Sequence, residues 1–218
     1  MNEDSADPGQ IHAKGILALG IHPHIHRLYL RGLPLYEVRE LAHEVVYRGR
    51  VFEVWRETYR GHVVEKVVYR GAVVIVPVEG DRLLLIRQYR PVVGEYLYEF
   101  PAGTLEPGES PEECALRELE EETGYRASIL EKLGSFYSSP GYSTEVLHAY
   151  LATGLKRGSA RPDEDEEIEG IVTFGVEELL RMVRDGEIKD AKTVTAFTLY
   201  LLRKSKDDIQ TNNRNSLP

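Results

Sequence analysis

Residues 103–125, GTLEPGESPEECALRELEEETGY, constrain this chain more than any other stretch. A loop of Gly, Pro and Glu runs into a short segment dense with carboxylates. Ser110 has the character of an N-cap, Pro111 of a first helical residue, and Glu113 completes an S-x-x-E capping box. Gly124 supplies the residue that lets the helix end in a left-handed turn. Between these caps Glu118, Glu121 and Glu122 fall at i, i+3 and i+4, so their carboxylates share one face. Like charges at that spacing repel, and the helix gains nothing from them. A hard divalent cation such as Mg²⁺ reverses the sign, because it takes oxygen ligands and binds beside substrate phosphates through a few carboxylates. A solvated acidic face accounts for a run of Glu, but not for the fixed pattern around it.

Bulk properties narrow the classes. A chain of 218 residues, 42% hydrophobic and 29% charged, can bury one sizeable core. No apolar run has the length of a membrane span, the N-terminus lacks the order of a signal peptide, and Cys114 is the single cysteine. A reducing cytoplasm is the expected setting. Cys114 is expected to pack under the glycine loop, since no His pairs with it locally. A net charge of −9 argues against a nucleic-acid partner and requires cations to mediate any action on phosphates. Between residues 11 and 209 the only side-chain amide is Gln88, and Arg outnumbers Lys, which suggests a thermophile.

Taken in order, residues 1–43 form an N-terminal extension of unknown role. Its HPHIH run (His22, His24, His26) lacks a carboxylate or thiol to complete a zinc set. Residues 44–70 alternate β-branched and aromatic positions between Arg-Gly turns, predicting a small three-stranded antiparallel sheet. So small a sheet must pack on the rest of the chain or on a second copy. AVVIVPV and RLLLIRQYR flank an acidic turn and predict a nearly continuous apolar hairpin of central strands. Strands are also expected at ASILEKLGSFYS, EVLHAYLAT and IEGIVTF, and helices at GVEELLRMVRDG and residues 190–204. Residues 71–205 thus form an α/β domain, an α/β/α sandwich with a mixed sheet, and 206–218 a polar tail.

The spacing G-x5-E-x7-R-E-L-x-E-E-x-G-Y is similar to the Nudix box at every fixed position. Over residues 73–204 the chain resembles Nudix hydrolases. RQYR, YEFPAGTLEPGE, SSPGYSTE with Pro140 sixteen positions beyond Gly124, and DGEIKDAKT resemble the ADP-ribose pyrophosphatase branch. The resemblance implies a homodimer that exchanges the small N-terminal sheet. It also implies hydrolysis of a small-molecule nucleoside diphosphate, ADP-ribose, to AMP and ribose 5-phosphate. Mg²⁺, or Mn²⁺ in its place, would neutralise the phosphate oxygens and lower the pKa of water, and two ions about 4 Å apart would serve both the attacking and leaving oxygens.

On the same grounds Glu118 and Glu122 are the expected principal metal ligands, with Glu121 and the Ala102 carbonyl completing the set. Glu109 and Arg117 would pair to hold the loop beside Gly103 against the helix. The general base is expected in the acidic run 163–167. Its place two residues before Ile168 favours Glu166, with Glu164 next and Glu145 third. One of Arg87 and Arg90 should reach the substrate, since a straight strand cannot aim both at one side; the resemblance leans to Arg87. Glu99 would orient a ribose or a water. Either Phe52 or Trp55 would stack on adenine, the other serving the core or an interface.

Two other readings stay open. One is a Nudix hydrolase of a sugar nucleotide or dinucleotide, although no SQPWPFPxS-type stretch points to the nicotinamide branch. The other is a non-catalytic nucleotide sensor, although such domains usually lose a box carboxylate and this one keeps each.

Overall fold

The computed structural model describes residues 43–159 and 167–215, which fall in one compact unit that begins at His43. The extension 1–42, with its histidines, and most of the acidic run lie outside the described residues.

Three strands, β1 (His43–Arg48), β2 (Phe52–Tyr59) and β3 (His62–Tyr69), form the expected antiparallel meander. Arg60 and Gly61, both at positive φ (51° and 81°), close the β2–β3 turn. Against the rest of the chain this sheet is held along β3. Val67 N–H donates to Tyr142 O (2.7 Å) and Thr144 N–H to Val67 O (3.0 Å). Tyr69 N–H donates to Thr144 Oγ1, and the Tyr69 phenol meets Thr104 Oγ1, both at 3.0 Å.

The main sheet contains β4 (Ala72–Glu79), β5 (Arg82–Arg90), β6 (Glu95–Glu99), β7 (Ala102–Thr104), β9 (Ile129–Tyr137), β10 (Val146–Thr153) and β12 (Ile168–Gly175). Its order is β12-β5-β4-β10-β9, with β6 on β5 and β7 on β4; β4 and β10 are parallel, so the sheet is mixed. A short ribbon of β8 (Tyr125–Arg126) and β11 (Lys156–Arg157) lies apart from it.

Successive residues of β4 serve opposite faces, which is why the strand is apolar throughout. Val73 and Ile75 pack with Cys114, Ala115 and Leu119 of α1 (Pro111–Thr123). Val74 and Val76 pack with Leu179 of α2 (Val176–Arg184) and with Ala196, Phe197 and Tyr200 of α3 (Ala191–Asn215). Each fully buried Val, Ile, Leu or Phe among them contributes roughly 1.5–3 kcal/mol. Helices on both faces make the α/β/α sandwich.

Two features go beyond the sequence expectation. The β4–β5 hairpin pairs only at Val78–Leu83 and Glu79–Arg82. Beyond that β4 takes β7 and β10 as partners and β5 takes β6 and β12, so the strands splay. Pro101 O accepts from Ile75 N–H (2.8 Å) inside the splay, which brings the loop before the box into the sheet. The polar tail is also helical as far as Asn215, because neither Gly nor Pro follows Lys204 until Pro218 to stop α3.

Candidate active site

The box helix α1 is capped as its sequence dictates. Ser110 Oγ accepts from Glu113 N–H (3.3 Å) and the Glu113 carboxylate accepts from Ser110 N–H (2.9 Å). Gly124 sits at φ 70° and donates to Glu120 O (2.7 Å). With its ends fixed, α1 presents Glu118 and Glu122 to the loop that precedes it, whereas Glu121 meets Arg117 of the same helix. Glu118 and Glu122 are buried, at 8% and 3% exposure, which charged groups tolerate only when compensated.

Arg117 supplies much of that compensation. Nε and Nη2 donate to the two oxygens of Glu109 (2.8 and 3.0 Å), and Nη1 donates to Glu118 (2.7 Å) and Glu121 (2.9 Å). Nη2 also reaches Thr104 O (3.3 Å), tying loop to helix. Arg117 holds the Glu109 carboxyl down to about 2, chiefly through this hydrogen bond. Burial pushes the Cys114 thiol up; its Sγ lies 3.9 Å from Gly103 O, so it packs under the loop as a neutral group. Glu122 accepts from Ala102 N–H (3.0 Å). At Gly103 the backbone lies against the Glu118 carboxylate so closely that a β-carbon would overlap it.

No three His, Cys, Asp or Glu side chains among the described residues are gathered into a ready-made metal cage. The residues nevertheless fit a hard cation. The donors expected there are all oxygens, three carboxylates and the Ala102 carbonyl, and a single guanidinium is shared among Glu109, Glu118 and Glu121. Gly103 also leaves the Glu118 head group against open backbone, where a side chain would displace it.

Beside this helix a cleft of about 690 Å³ opens at the splay of β4 and β5. Ala102, Gly103, Arg117 and Glu118 line it, as do Arg90, Glu145 and Lys192. Arg90 and Arg87 point apart, as alternation requires. Arg90 is on the cleft, whereas Arg87 pairs with Glu169 and lies 4.4 Å over the Tyr96 ring, outside the cleft lining. Of the two, Arg90 is the one that the cleft brings beside the box.

Glu99 lies beneath Arg90. It is 1% exposed, accepts from Arg90 Nε (2.9 Å) and Nη2 (2.7 Å), and pairs with Lys192. Burial pushes its pKa up, but the Arg90 hydrogen bond and the Lys192 charge outweigh this, leaving it low. A carboxylate so occupied anchors both Arg90 and Lys192. Neither Phe52 nor Trp55 lines the cleft of this chain. The Trp55 ring is stacked on His43 (3.9 Å between centroids), and Phe52 is exposed beside Tyr47. Glu164 and Glu166 lie outside the described residues, while Glu145 reaches the cleft.

Sequence reasoning assigned no role to Asp190, Lys192 or Thr193. Asp190 caps α3, accepting from Thr193 N–H (2.9 Å) and Oγ1 (2.6 Å), and Thr193 Oγ1 accepts from Phe100 N–H (2.9 Å). The D-x-x-T spacing ahead of an apolar helix carried that signal.

The NUDIX domain model matches residues 68–197. The chain is 36% identical to the ADP-ribose pyrophosphatase of Bacillus subtilis (strain 168) over 177 residues, covering 78% of this chain and 95% of that protein. It is 35% identical to the methanol dehydrogenase activator of Bacillus methanolicus over 179 residues, 78% and 96% of the two chains. A crystal structure of an ADP compounds hydrolase superposes with a TM-score of 0.67 at 30% identity, covering 77% of this chain and 94% of that one. The chain belongs to the Nudix family. Its fold and box make it a pyrophosphohydrolase of that family, acting on nucleotides.

Proposed function

We propose that this protein hydrolyses the diphosphate of ADP-ribose to AMP and ribose 5-phosphate with the help of Mg²⁺, or Mn²⁺ in its place. The observation that carries the reading is that one cleft holds the box carboxylate Glu118 and the cations Arg90 and Lys192 together. A diphosphate needs both, and the similarity to an ADP-ribose pyrophosphatase supports the same substrate. Glu118, Glu121, Glu122 and the Ala102 carbonyl would hold the ion. Bound there it would supply positive charge at the diphosphate oxygens, which the acidic helix cannot.

The chain's own residues do the rest. Arg90 binds a phosphate oxygen through the part of its guanidinium not committed to Glu99. Arg117 keeps Glu118 and Glu121 aligned and ties the loop to α1. A carboxylate beyond the box takes the proton from the attacking water. Glu166 is the first choice and Glu164 the second. Glu145 is a third, supported by its place on the cleft.

Two copies would complete the molecule. The small sheet leaves Val45, Val46, Tyr47, Phe52, Tyr59 and Val63 at 36% exposure or more, an apolar surface suited to a second copy. In such a homodimer the partner's sheet would bring an aromatic ring to adenine. No helix among the described residues is long and apolar enough to cross a membrane.

The test is a product assay with Mg²⁺ on ADP-ribose, ADP-glucose, GDP-mannose, NADH and FAD. AMP released fastest from ADP-ribose is the expected result. Preference for a sugar nucleotide would keep the chemistry and move the substrate. ADP-ribose bound without turnover would point to a sensor.

A further inference from the structure

Lys192 is a cation in the wrong place for its helix. It stands in the first turn of α3, where the helix dipole favours negative charge, and no acidic residue occupies that turn. Its side chain is only 17% exposed. What holds it is Glu99, together with Asp190 at 3.1 Å. One buried carboxylate thus receives two cations from separate elements, Arg90 of β5 and Lys192 of α3.

The manner in which Arg90 is held gives this pairing a consequence. Arg90 offers Glu99 the side edge of its guanidinium, Nε to one oxygen and Nη2 to the other. Nη1 makes no hydrogen bond among the described residues. A guanidinium whose charge was fully spent on a buried carboxylate would attract an incoming anion weakly. Lys192 takes a share of the Glu99 charge, on the oxygen that Nη2 also meets. Asp190 and Glu122 also bear on the Arg90 charge, so without Lys192 three carboxylates would act on the one guanidinium.

We infer that Lys192 is a positioning residue for diphosphate binding: by sharing Glu99 it leaves Arg90 anchored along one edge with more of its charge available to an anion in the cleft. This rests on the reading that the cleft takes a diphosphate. It assigns a task to a side chain that lies outside the box and arrives on the opposite helix layer. It also couples the C-terminal helix to substrate affinity.

The test compares wild type, K192M and K192R in the full-length chain. Binding of ADP and of adenosine is measured by calorimetry, and KM and kcat are measured on the diphosphate that wild type turns over best. K192M should weaken ADP binding about tenfold, the size of one charge contact, and leave adenosine binding unchanged. KM should rise by a similar factor, with kcat falling less. K192R should recover most of the loss, since a guanidinium can also share Glu99. Equal loss of ADP and adenosine binding in K192M, or ADP binding within about twofold of wild type, overturns the inference. If K192M does not fold, K192R decides alone, and a tenfold loss of ADP affinity despite its retained charge would count against the inference. Wild type that binds ADP but cleaves no diphosphate would sink the proposed activity and leave the Lys192 comparison readable.

Discussion

Glu109 and Arg117, one on the loop and one on the helix, are joined by a two-bond fork, Nε to Oε1 at 2.8 Å and Nη2 to Oε2 at 3.0 Å. The same guanidinium uses Nη1 for Glu118 and Glu121, so it sets the geometry of the box carboxylates from behind. Arg117→Met should lower kcat by about 10–100-fold, the range seen when a partner of metal ligands is lost. Arg117→Lys should recover little, because an ammonium cannot reproduce the fork. Steady-state kinetics at saturating Mg²⁺ reads both.

The fork also makes a prediction in acid. The Glu109 carboxyl is held at about 2 in the folded protein, against an ordinary 4.5. Its contribution to stability is therefore complete above pH 4.5 and is lost as pH falls toward 2. Glu109→Gln should be less stable than wild type at neutral pH, and the gap should narrow through that window. Denaturant midpoints taken from pH 6 to pH 2 would show it; a constant gap would mean that the charge of Glu109 is immaterial.

Gly103 has no room for a β-carbon beside Glu118. Gly103→Ala must push either the loop or the carboxylate aside, costing about 1–3 kcal/mol of stability. Activity should fall further than stability implies, since the displaced group is a proposed metal ligand. A variant with wild-type kcat at saturating Mg²⁺ would show that the Glu118 position is not critical.

Thr193 links the cap of α3 to the loop before the box, accepting from Phe100 N–H while donating to Asp190. It is fully buried, so Thr193→Val leaves the Phe100 N–H without its acceptor at nearly unchanged volume. The expected loss is about 1–3 kcal/mol, read from denaturant unfolding, with Thr193→Ser close to wild type.

How much of this was legible in the sequence depended on how local the cause was. The caps of α1 rest on Ser110, Glu113 and Gly124 and were readable locally, while the Arg117–Glu109 pair was implied by the resemblance of the box. The apolar β4 and β5 were readable as central strands, but their splay was not. It arises from competition by β6, β7, β10 and β12 for backbone partners, which no local pattern records. The choice of Arg90 over Arg87 likewise depends on which face of β5 meets the cleft. Strand alternation shows that the two differ but not which is which. The pairing of Glu99 with Lys192 was not readable, because the two lie 93 positions apart in sequence.

The central claim is that the carboxylates of α1 run metal-dependent cleavage of ADP-ribose, and the most direct measurement is AMP release from ADP-ribose by wild type and Glu122→Gln. Both would be assayed with Mg²⁺ and after chelation, with folding checked by circular dichroism. The account predicts rapid release by wild type with Mg²⁺, almost none after chelation, and a loss of about 100-fold or more in kcat for folded Glu122→Gln. Near-wild-type release by that variant, or wild-type release undiminished by chelation, would contradict it.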